Sequence, residues 1–230
     1  MDLIQALAAE LGKDPRHVEN VVHLLDEGNT IPFIARYRKE LHGAMDDTSL
    51  RTLEERLQYL RGLEERREAV KKSIDEQGKL TDELAAAIHS AKTLAEVEDL
   101  YRPYKQKRRT RATMAKEKGL EPLAALLFAQ ERDCPRPEEA ARDFVDPEKG
   151  VETVEDALQG ASDIVAEQIS DAAAIRKSLR ALISRQGQLV SRAAAEDDSV
   201  YRLYYDFTQS VARLQGHQVL AINRGEKEGI

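Results

Sequence analysis

A long amphipathic pattern in the first third of the chain limits the possible folds more than any other feature. Leucines recur every three or four positions from Leu50 to Leu63, Val70 and Ile74 follow, and Gly78 ends the pattern. Asp46 supplies a capping oxygen at the start. The spacing predicts one helix over about 47–77, roughly 45 Å long at 1.5 Å per residue. Such a rod exceeds what one small core covers, so we expect it to join two packing regions.

The composition agrees with a helical chain. Charged residues make up 33% of the 230 residues and aromatic residues only 5%, with no tryptophan. Strands prefer aromatic and β-branched residues, so a sheet-rich fold is disfavoured. A coiled coil stays open for the long helix, although its heptad lapses after Leu60, where Glu64 and Arg67 fall at the seam. We predict an all-α fold: a multi-helix scaffold with a long central helix and little or no sheet near the C-terminal end.

Two short helices are predicted ahead of the long one. Gly12 ends the first, and Asp14 with Pro15 caps and opens the second, which stops at Gly28. The pair has the form of a helix-turn-helix unit. DNA recognition by this unit and plain packing of a helical hairpin both remain open.

Farther along, the pattern predicts a helical pair over about 153–185 with an interruption near Gly160 or Ser170. After Gly187 the character of the sequence changes to a short extended segment and then a cluster of aromatic residues. We therefore predict a helical domain over 1–186 and the start of a connecting segment over 187–230.

The C-terminal residues predict one more helix and then a turn. Residues 217–222 favour one more helix, and 224–230 favour a turn that leads into a strand. Because this strand is not reached, we expect the sequence to be the front part of a longer protein.

Several classes of protein are disfavoured by simple features. The longest apolar run, 123–129, is far shorter than the roughly 20 residues that cross a bilayer. The N-terminus has an acidic residue at Asp2 and no basic stretch before its apolar part, unlike a secretory signal. Cys134 is the only cysteine, so neither an intrachain disulfide nor a cysteine zinc site is expected. We expect a cytoplasmic protein without membrane contact.

The sequence also offers no assembled catalytic constellation. It has no glycine-rich phosphate loop, and its five histidines are far apart. Paired acids such as Asp46–Asp47 and Asp197–Asp198 are explained by helix capping or solvation. We expect no enzymatic activity, no metal site and no cofactor.

Charge is distributed unevenly along the chain. Residues 102–118 contain eight basic residues and one acid, so the net charge of −7 combines +7 in this tract with −14 elsewhere. Local potential rather than net charge attracts polyanions. Pro103 ends the preceding helix, which places the tract in a loop, and helices are expected to resume after Thr113 or Pro122. The predicted phosphate-binding residues are the loop cations Lys105, Lys107, Arg108, Arg109 and Arg111, and a second patch formed by Arg36, Arg38 and Lys39.

Two tyrosines flank the basic segment. Tyr101 and Tyr104 are candidates for stacking on unpaired bases, worth roughly 1–3 kcal/mol each. Packing at a helix end is the alternative for both. For the cations, the alternative is a solvated linker or pairing with neighbouring acids.

Several stretches resemble the Tex family of bacterial transcription accessory proteins. They are residues 30–40 (TIPFIARYRKE), 53–57 (LEERL), 101–105 (YRPYK), 107–113 (KRRTRAT), 119–123 (GLEPL), 204–207 (YYDF) and 224–229 (RGEKEG). The basic block is long enough to be specific, although Gln106 stands where the family usually has a proline.

This resemblance implies a helical N-terminal region, followed in the full-length protein by a ribonuclease-H-like domain, a helix-hairpin-helix module and an OB-fold RNA-binding domain. It also implies nucleic-acid binding without strong sequence choice. The main functional hypothesis is therefore a non-catalytic scaffold that contacts the phosphate backbone of RNA or DNA, with the transcription machinery as a possible partner. The alternative is a protein-interaction or spacing module that docks downstream domains of the same protein or the transcription machinery.

Overall fold

The computed structural model describes residues 3–106, 108–194 and 199–230. These residues form twelve α-helices, four short 3-10 turns and one two-stranded sheet, so the predicted all-α class is confirmed. The chain divides into two compact units, Met1–Tyr101 and Arg102–Ile230, each described here by itself. None of the helices in the described ranges is long and apolar enough to cross a membrane. The predicted domain boundary at 186/187 stays a prediction.

The first unit is built around one long helix. Its helices are α1 Leu3–Leu11, α2 Pro15–Asp26, α3 Ile31–Tyr37, α4 Asp47–Asp75, α5 Asp82–Ser90 and α6 Leu94–Tyr101. The long helix α4 has 29 residues and is therefore about 43 Å long. The Asp46 carboxylate accepts a hydrogen bond from the Ser49 amide at 2.7 Å and caps its first turn. The helix predicted over 47–77 is confirmed.

The apolar stripe of α4 forms the core of this unit. Its buried aliphatic residues are Leu50, Leu53, Leu57, Leu60, Leu63, Val70 and Ile74. Helices α1, α2 and α3 pack against α4, and so do α5 and α6. Several short helices are needed to cover one side of a helix about 43 Å long. The group α1–α3 and the group α5–α6 therefore both pack on α4. This agrees with the expectation that the long helix joins two packing regions.

Arginines on α4 connect it to the helices that precede it. Arg56 donates two hydrogen bonds to the Glu10 carboxylate on α1, at 2.7 and 2.8 Å. Arg61 makes the same paired contact with Asp26 at the end of α2, again at 2.7 and 2.8 Å. These hydrogen bonds hold the pKa of the Glu10 and Asp26 carboxyls below their ordinary values.

Arg67 explains why the leucine stripe does not continue as a coiled-coil seam. It lies at an apolar position of α4 yet is 98% buried, with only 2% of its side chain exposed. Its guanidinium donates to the Ala91 carbonyl in the connection between α5 and α6 and pairs with Glu64. The seam residue therefore satisfies a loop carbonyl within the unit instead of facing a second long helix.

The second unit packs short helices around an alanine-rich core. It consists of α7 Arg111–Glu117, α8 Glu121–Ala129, α9 Pro137–Arg142, α10 Val154–Asp171, α11 Ala173–Gln186, β1 Gln188–Arg192, β2 Asp206–Ser210 and α12 Gly216–Glu228. Helix α10 packs against α7, α8 and α9. Gly160 lies inside α10, where an added Cβ would be 2.3 Å from Leu120 Cδ1. The predicted interruption falls at Ala172, near Ser170, and Gly160 is a close-packing position instead.

The C-terminal segment differs from its prediction in one respect. The strands β1 and β2 pair antiparallel, with Val190 opposite Thr208. Residues 224–230 were expected to form a turn that leads into a strand, but α12 continues as a helix to Glu228. Gly225 is buried where the Tyr201 ring approaches, with the ring atom Cγ 3.5 Å from an ideal Cβ position. Gly225 is therefore a packed position inside the helix and does not end it.

Removal of one stripe residue tests the role of α4. Leu53 is fully buried, so Leu53→Ala should lower the free energy of unfolding by about 2–5 kcal/mol. Gln58→Ala on the exposed side of the same helix is the control and should change it by less than about 0.5 kcal/mol. Urea unfolding followed by circular dichroism measures both. Equal effects of the two substitutions would contradict the assignment of the core.

The paired arginines predict a dependence of stability on pH. The carboxyl pKa values of Glu10 and Asp26 are lower in the folded chain, so their stabilisation is complete above about pH 4–5 and is lost as the pH falls through the folded pKa values. Glu10→Gln/Asp26→Asn should therefore lower the free energy of unfolding at pH 7. The difference in this free energy between the variant and the parent should shrink towards pH 2–3. Each half-exposed pair should contribute about 1 kcal/mol or less.

The control for this measurement is Glu19→Gln/Glu55→Gln, which removes the same charge from two exposed positions. Its difference from the parent should be small at every pH. A pH-independent difference for Glu10→Gln/Asp26→Asn would show that the ion pairs are not the cause.

Candidate nucleic-acid interface

The basic loop, defined as residues 102–111, lies between two helical segments. Arg102–Tyr104 form one 3-10 turn that contains Pro103. The described residues between this turn and α7 have no helical structure, and α7 then begins at Arg111. Thr110 caps α7, because its hydroxyl accepts a hydrogen bond from the Thr113 amide at 3.0 Å. The predicted loop is confirmed at its start near Pro103, but the next helix begins at Arg111 instead of after Thr113 or Pro122, because Thr110 supplies the cap.

Both ends of the basic loop are tied to α10. Near its start, Arg102 Nε donates to Asp171 Oδ1 at 2.9 Å, and this aspartate is buried. At its end, the Thr110 hydroxyl donates to Glu167 Oε1 at 3.0 Å. Two contacts one helical turn apart on α10 therefore hold both ends of the loop.

Three loop cations have no carboxylate partner within the part of the chain that the structure describes. Lys105, Arg108 and Arg111 are exposed, and no described carboxylate oxygen lies within 4.0 Å of their charged nitrogens. Arg109 pairs with Glu117 at 3.1 Å, but both side chains are mostly exposed, at 71% and 57%. An ion pair of this kind is weak and gives way readily to a phosphate. Lys107 lies outside the described residues.

The space between the loop and α10 is a groove of about 490 Å³ with mixed charge. Lys105 and Arg111 line it on the loop side, while Asp163, Glu167 and Asp171 line it from α10. These carboxylates lower the positive potential inside the groove. The potential inside the groove is therefore mixed rather than strongly positive.

A second cationic surface, the α3 patch, belongs to the first unit. It consists of Arg36, Arg38 and Lys39 with the rings of Phe33 and Tyr37. Arg38 lies over the Phe33 ring at 5.1 Å, and Arg36 lies 5.9 Å from the centroid of the Tyr37 ring. The two rings are themselves 5.3 Å apart. Stacking of this kind orders the guanidinium groups without consuming their charge.

The turn that follows α3 is held by side chains from α2. Asn20 Nδ2 donates to the Leu41 carbonyl at 3.0 Å, and His17 Nδ1 lies 3.0 Å from the same oxygen. Gly43 has φ +59°, and an added Cβ would be 2.4 Å from the His17 ring, so glycine is required there. Lys39 thus stands at the start of an anchored turn. The alternative, in which the α3 cations pair with neighbouring acids, is not observed among the described residues.

The two candidate stacking tyrosines have different surroundings. The Tyr101 hydroxyl lies 3.0 Å from the Ser73 hydroxyl, and the Arg66 guanidinium lies over its ring at 5.4 Å. These contacts match the packing alternative for Tyr101. Tyr104 is half-buried in the 3-10 turn. Base stacking by either ring stays a prediction.

Sequence reasoning identified the cations but missed the residues that position them. Asp171 and Glu167 are 69 and 57 residues away from their loop partners. A carboxylate on a distant helix carries no local sign of which cation it will meet. Only the tertiary packing of α10 beside the loop brings these groups together.

The fold and these surfaces define a class of protein: a mostly helical scaffold that carries positive side chains on anchored loops. Comparison with known proteins narrows this class. Residues 1–75 match the family described as "Tex-like protein N-terminal domain", and residues 133–230 match "Tex central region-like". The chain therefore belongs to the Tex family. The α3 patch lies within the first matched segment, and the basic loop lies between the two.

Individual relatives agree with this membership. The chain is similar to "Protein tex" of Bordetella pertussis, with 45% identity over 99% of this chain and 29% of the relative. It is 42% identical to "Transcriptional accessory protein Tex" of Neisseria gonorrhoeae over 100% of this chain and 30% of the relative. It is 30% identical to human "S1 RNA-binding domain-containing protein 1" over 98% of this chain and 23% of that protein. The chain thus spans less than a third of the length of these relatives.

Proposed function

We propose that this chain is the helical scaffold region of a transcription accessory protein and that it contacts the phosphate backbone of RNA or DNA without catalysis. The observation that carries the proposal is the basic loop, whose ends are tied to α10 while the exposed Lys105 and Arg108 have no carboxylate partner among the described residues. Such cations bind phosphate without reading base sequence. The α3 patch supplies a second surface of the same kind.

The names of the relatives support a role with nucleic acid in transcription. One relative is named as a transcriptional accessory protein and another by an S1 RNA-binding domain. We infer from them that the full-length protein acts with nucleic acid in transcription. Contacts with the transcription machinery and with other domains of the same polypeptide belong to this proposal, as does a cytoplasmic location.

Removal of the unpaired loop cations tests the basic loop. We expect Lys105→Gln/Arg108→Gln/Arg111→Gln to weaken binding to a fluorescent single-stranded 20-mer and to reduce the salt slope of log K by about 2, because each phosphate contact on a single strand contributes about 0.7. Fluorescence anisotropy with RNA and DNA of one sequence, titrated from 50 to 200 mM salt, measures both effects. Separate Arg36→Gln/Lys39→Gln substitutions report on the α3 patch.

The matched control is Lys72→Gln/Lys79→Gln/Lys92→Gln, which removes the same net charge from exposed positions in the first unit. Its affinity should stay close to that of the parent. If the two triple variants lose the same affinity, binding follows net charge and the loop is not the site. If the parent shows no salt-dependent binding, this region does not bind phosphate.

Breaking the ion pair between Arg109 and Glu117 should have the opposite effect and tighten binding to the oligonucleotide. Glu117→Gln should tighten binding, because it frees Arg109, but by less than about five-fold since an exposed pair is worth about 1 kcal/mol or less. Glu131→Gln removes one exposed acid outside the loop and is the control. Equal tightening by both substitutions, in the same anisotropy titration, would show that overall charge and not Arg109 is responsible.

A further inference from the structure

Helix α11 has an apolar stripe that is only partly covered in the described structure. None of its fourteen residues is buried. Leu179, Leu182 and Ile183 are 49%, 43% and 53% exposed, and Ile175 precedes them at helical spacing. Four aliphatic side chains on one face of an exposed helix are typical of a contact surface.

The stability of α11 also calls for a partner. Isolated helices shorter than about 12–15 residues are marginal in water, and helices in proteins are held mainly by packing of their apolar face. Helix α11 contacts α10 and the 3-10 turn Val211–Arg213, but these contacts bury none of its residues fully. A helix of this kind is completed by whatever packs on its stripe.

The charge around the stripe specifies the chemistry of that partner. Between Asp171 and Glu196 the sequence has five basic residues and no acid. On a 3.6-residue period Arg176 and Arg180 flank the stripe on one side and Arg185 flanks it on the other. Arg176 and Arg180 already interact within the chain, and the Arg176 guanidinium, for example, donates to the Ser170 carbonyl at 3.3 Å. Arginines beside an apolar stripe favour carboxylates at the edges of the bound surface.

We propose that α11 docks an amphipathic, acidic helix of a protein partner, whose aliphatic stripe packs on Leu179, Leu182 and Ile183 while its glutamates or aspartates face the flanking arginines. A second α11 is a poor occupant, because two such helices would bring arginines together. A phosphate backbone would leave the stripe in water. An anionic membrane is less suited, since residues 172–200 contain no aromatic residue to anchor at the lipid interface.

A designed peptide tests the proposal with the whole 230-residue chain. The probe is a fluorescein-labelled, end-blocked 18-residue peptide with leucines at a spacing of three and four and glutamates on both sides of them. The comparison peptide has the same composition in an order that destroys the stripe. We expect the amphipathic peptide to bind at least about ten-fold more tightly, because only it can bury aliphatic area against α11.

Substitutions locate the surface. Leu179→Ser/Ile183→Ser should weaken binding of the amphipathic peptide about ten-fold. Arg180→Gln/Arg185→Gln should weaken it less and reduce its dependence on salt. Phe128→Ser removes another exposed apolar residue, 52% exposed on α8, and should leave binding unchanged. Circular dichroism confirms that each variant is folded, and amide hydrogen exchange in α11 should slow when the peptide is added.

Three results would overturn the proposal. The first is equal binding of the amphipathic and reordered peptides, or no saturable binding of either. The second is peptide binding that Leu179→Ser/Ile183→Ser leaves unchanged. The third is binding of phosphatidylserine vesicles through the same residues without binding of the peptide, which would make α11 a membrane contact. Nucleic-acid binding by the basic loop is measured in a separate titration. Neither its presence nor its absence decides whether the peptide binds α11.

Discussion

Burial of the leucine stripe of α4 is the constraint on which the first unit depends. A helix about 43 Å long presents more apolar surface than any one of its short neighbours covers, so α1–α3 and α5–α6 must share it. The arginines at the border of the stripe then form ion pairs with the short helices that pack beside it. Arg56 and Arg61 each meet a carboxylate on a preceding helix, and Arg66 meets Glu98 on α6 at 2.6 Å.

The core of the second unit is packed largely with small residues. Alanines from α7, α8, α9 and α10 make up much of its buried core, and Gly160 lets Leu120 lie against α10. Small residues bring helices close together but bury little area each, so polar contacts matter more at the edges. Asp171 and Glu167 at the end of α10 are such contacts, and they hold the basic loop.

Much of the fold could be predicted from local patterns, and the part that could not depends on contacts between distant residues. The α4 stripe, its Asp46 cap and the loop at Pro103 are properties of neighbouring residues, and each prediction is confirmed. The sequence predicts a turn around Gly225, because a glycine packed inside a helix looks the same in sequence as one that ends a helix. The positions of Asp171 and Glu167 beside the basic loop follow from packing alone.

The stretch around α11 shows a different reason for a missed feature. Its lack of acids between Asp171 and Glu196 is visible in the sequence, but the ordinary helical spacing of its aliphatic residues predicts a core-facing helix. Only the observed exposure of Leu179 and Ile183 separates a stripe that is covered from one that is not. Periodicity predicts which face of a helix will be apolar, while the tertiary structure decides whether that face is already occupied.

The arginines of the two units show how an acidic chain can keep positive surfaces. In the first unit Arg56, Arg61 and Arg66 are used as links between helices, because carboxylates on those helices lie within reach. In the basic loop the nearby carboxylates of α10 are engaged by Arg102 and Thr110, at the ends of the loop. The same contacts that fix the loop pair Asp171 with Arg102 and engage one oxygen of Glu167, while Lys105, Arg108 and Arg111 remain exposed to solvent.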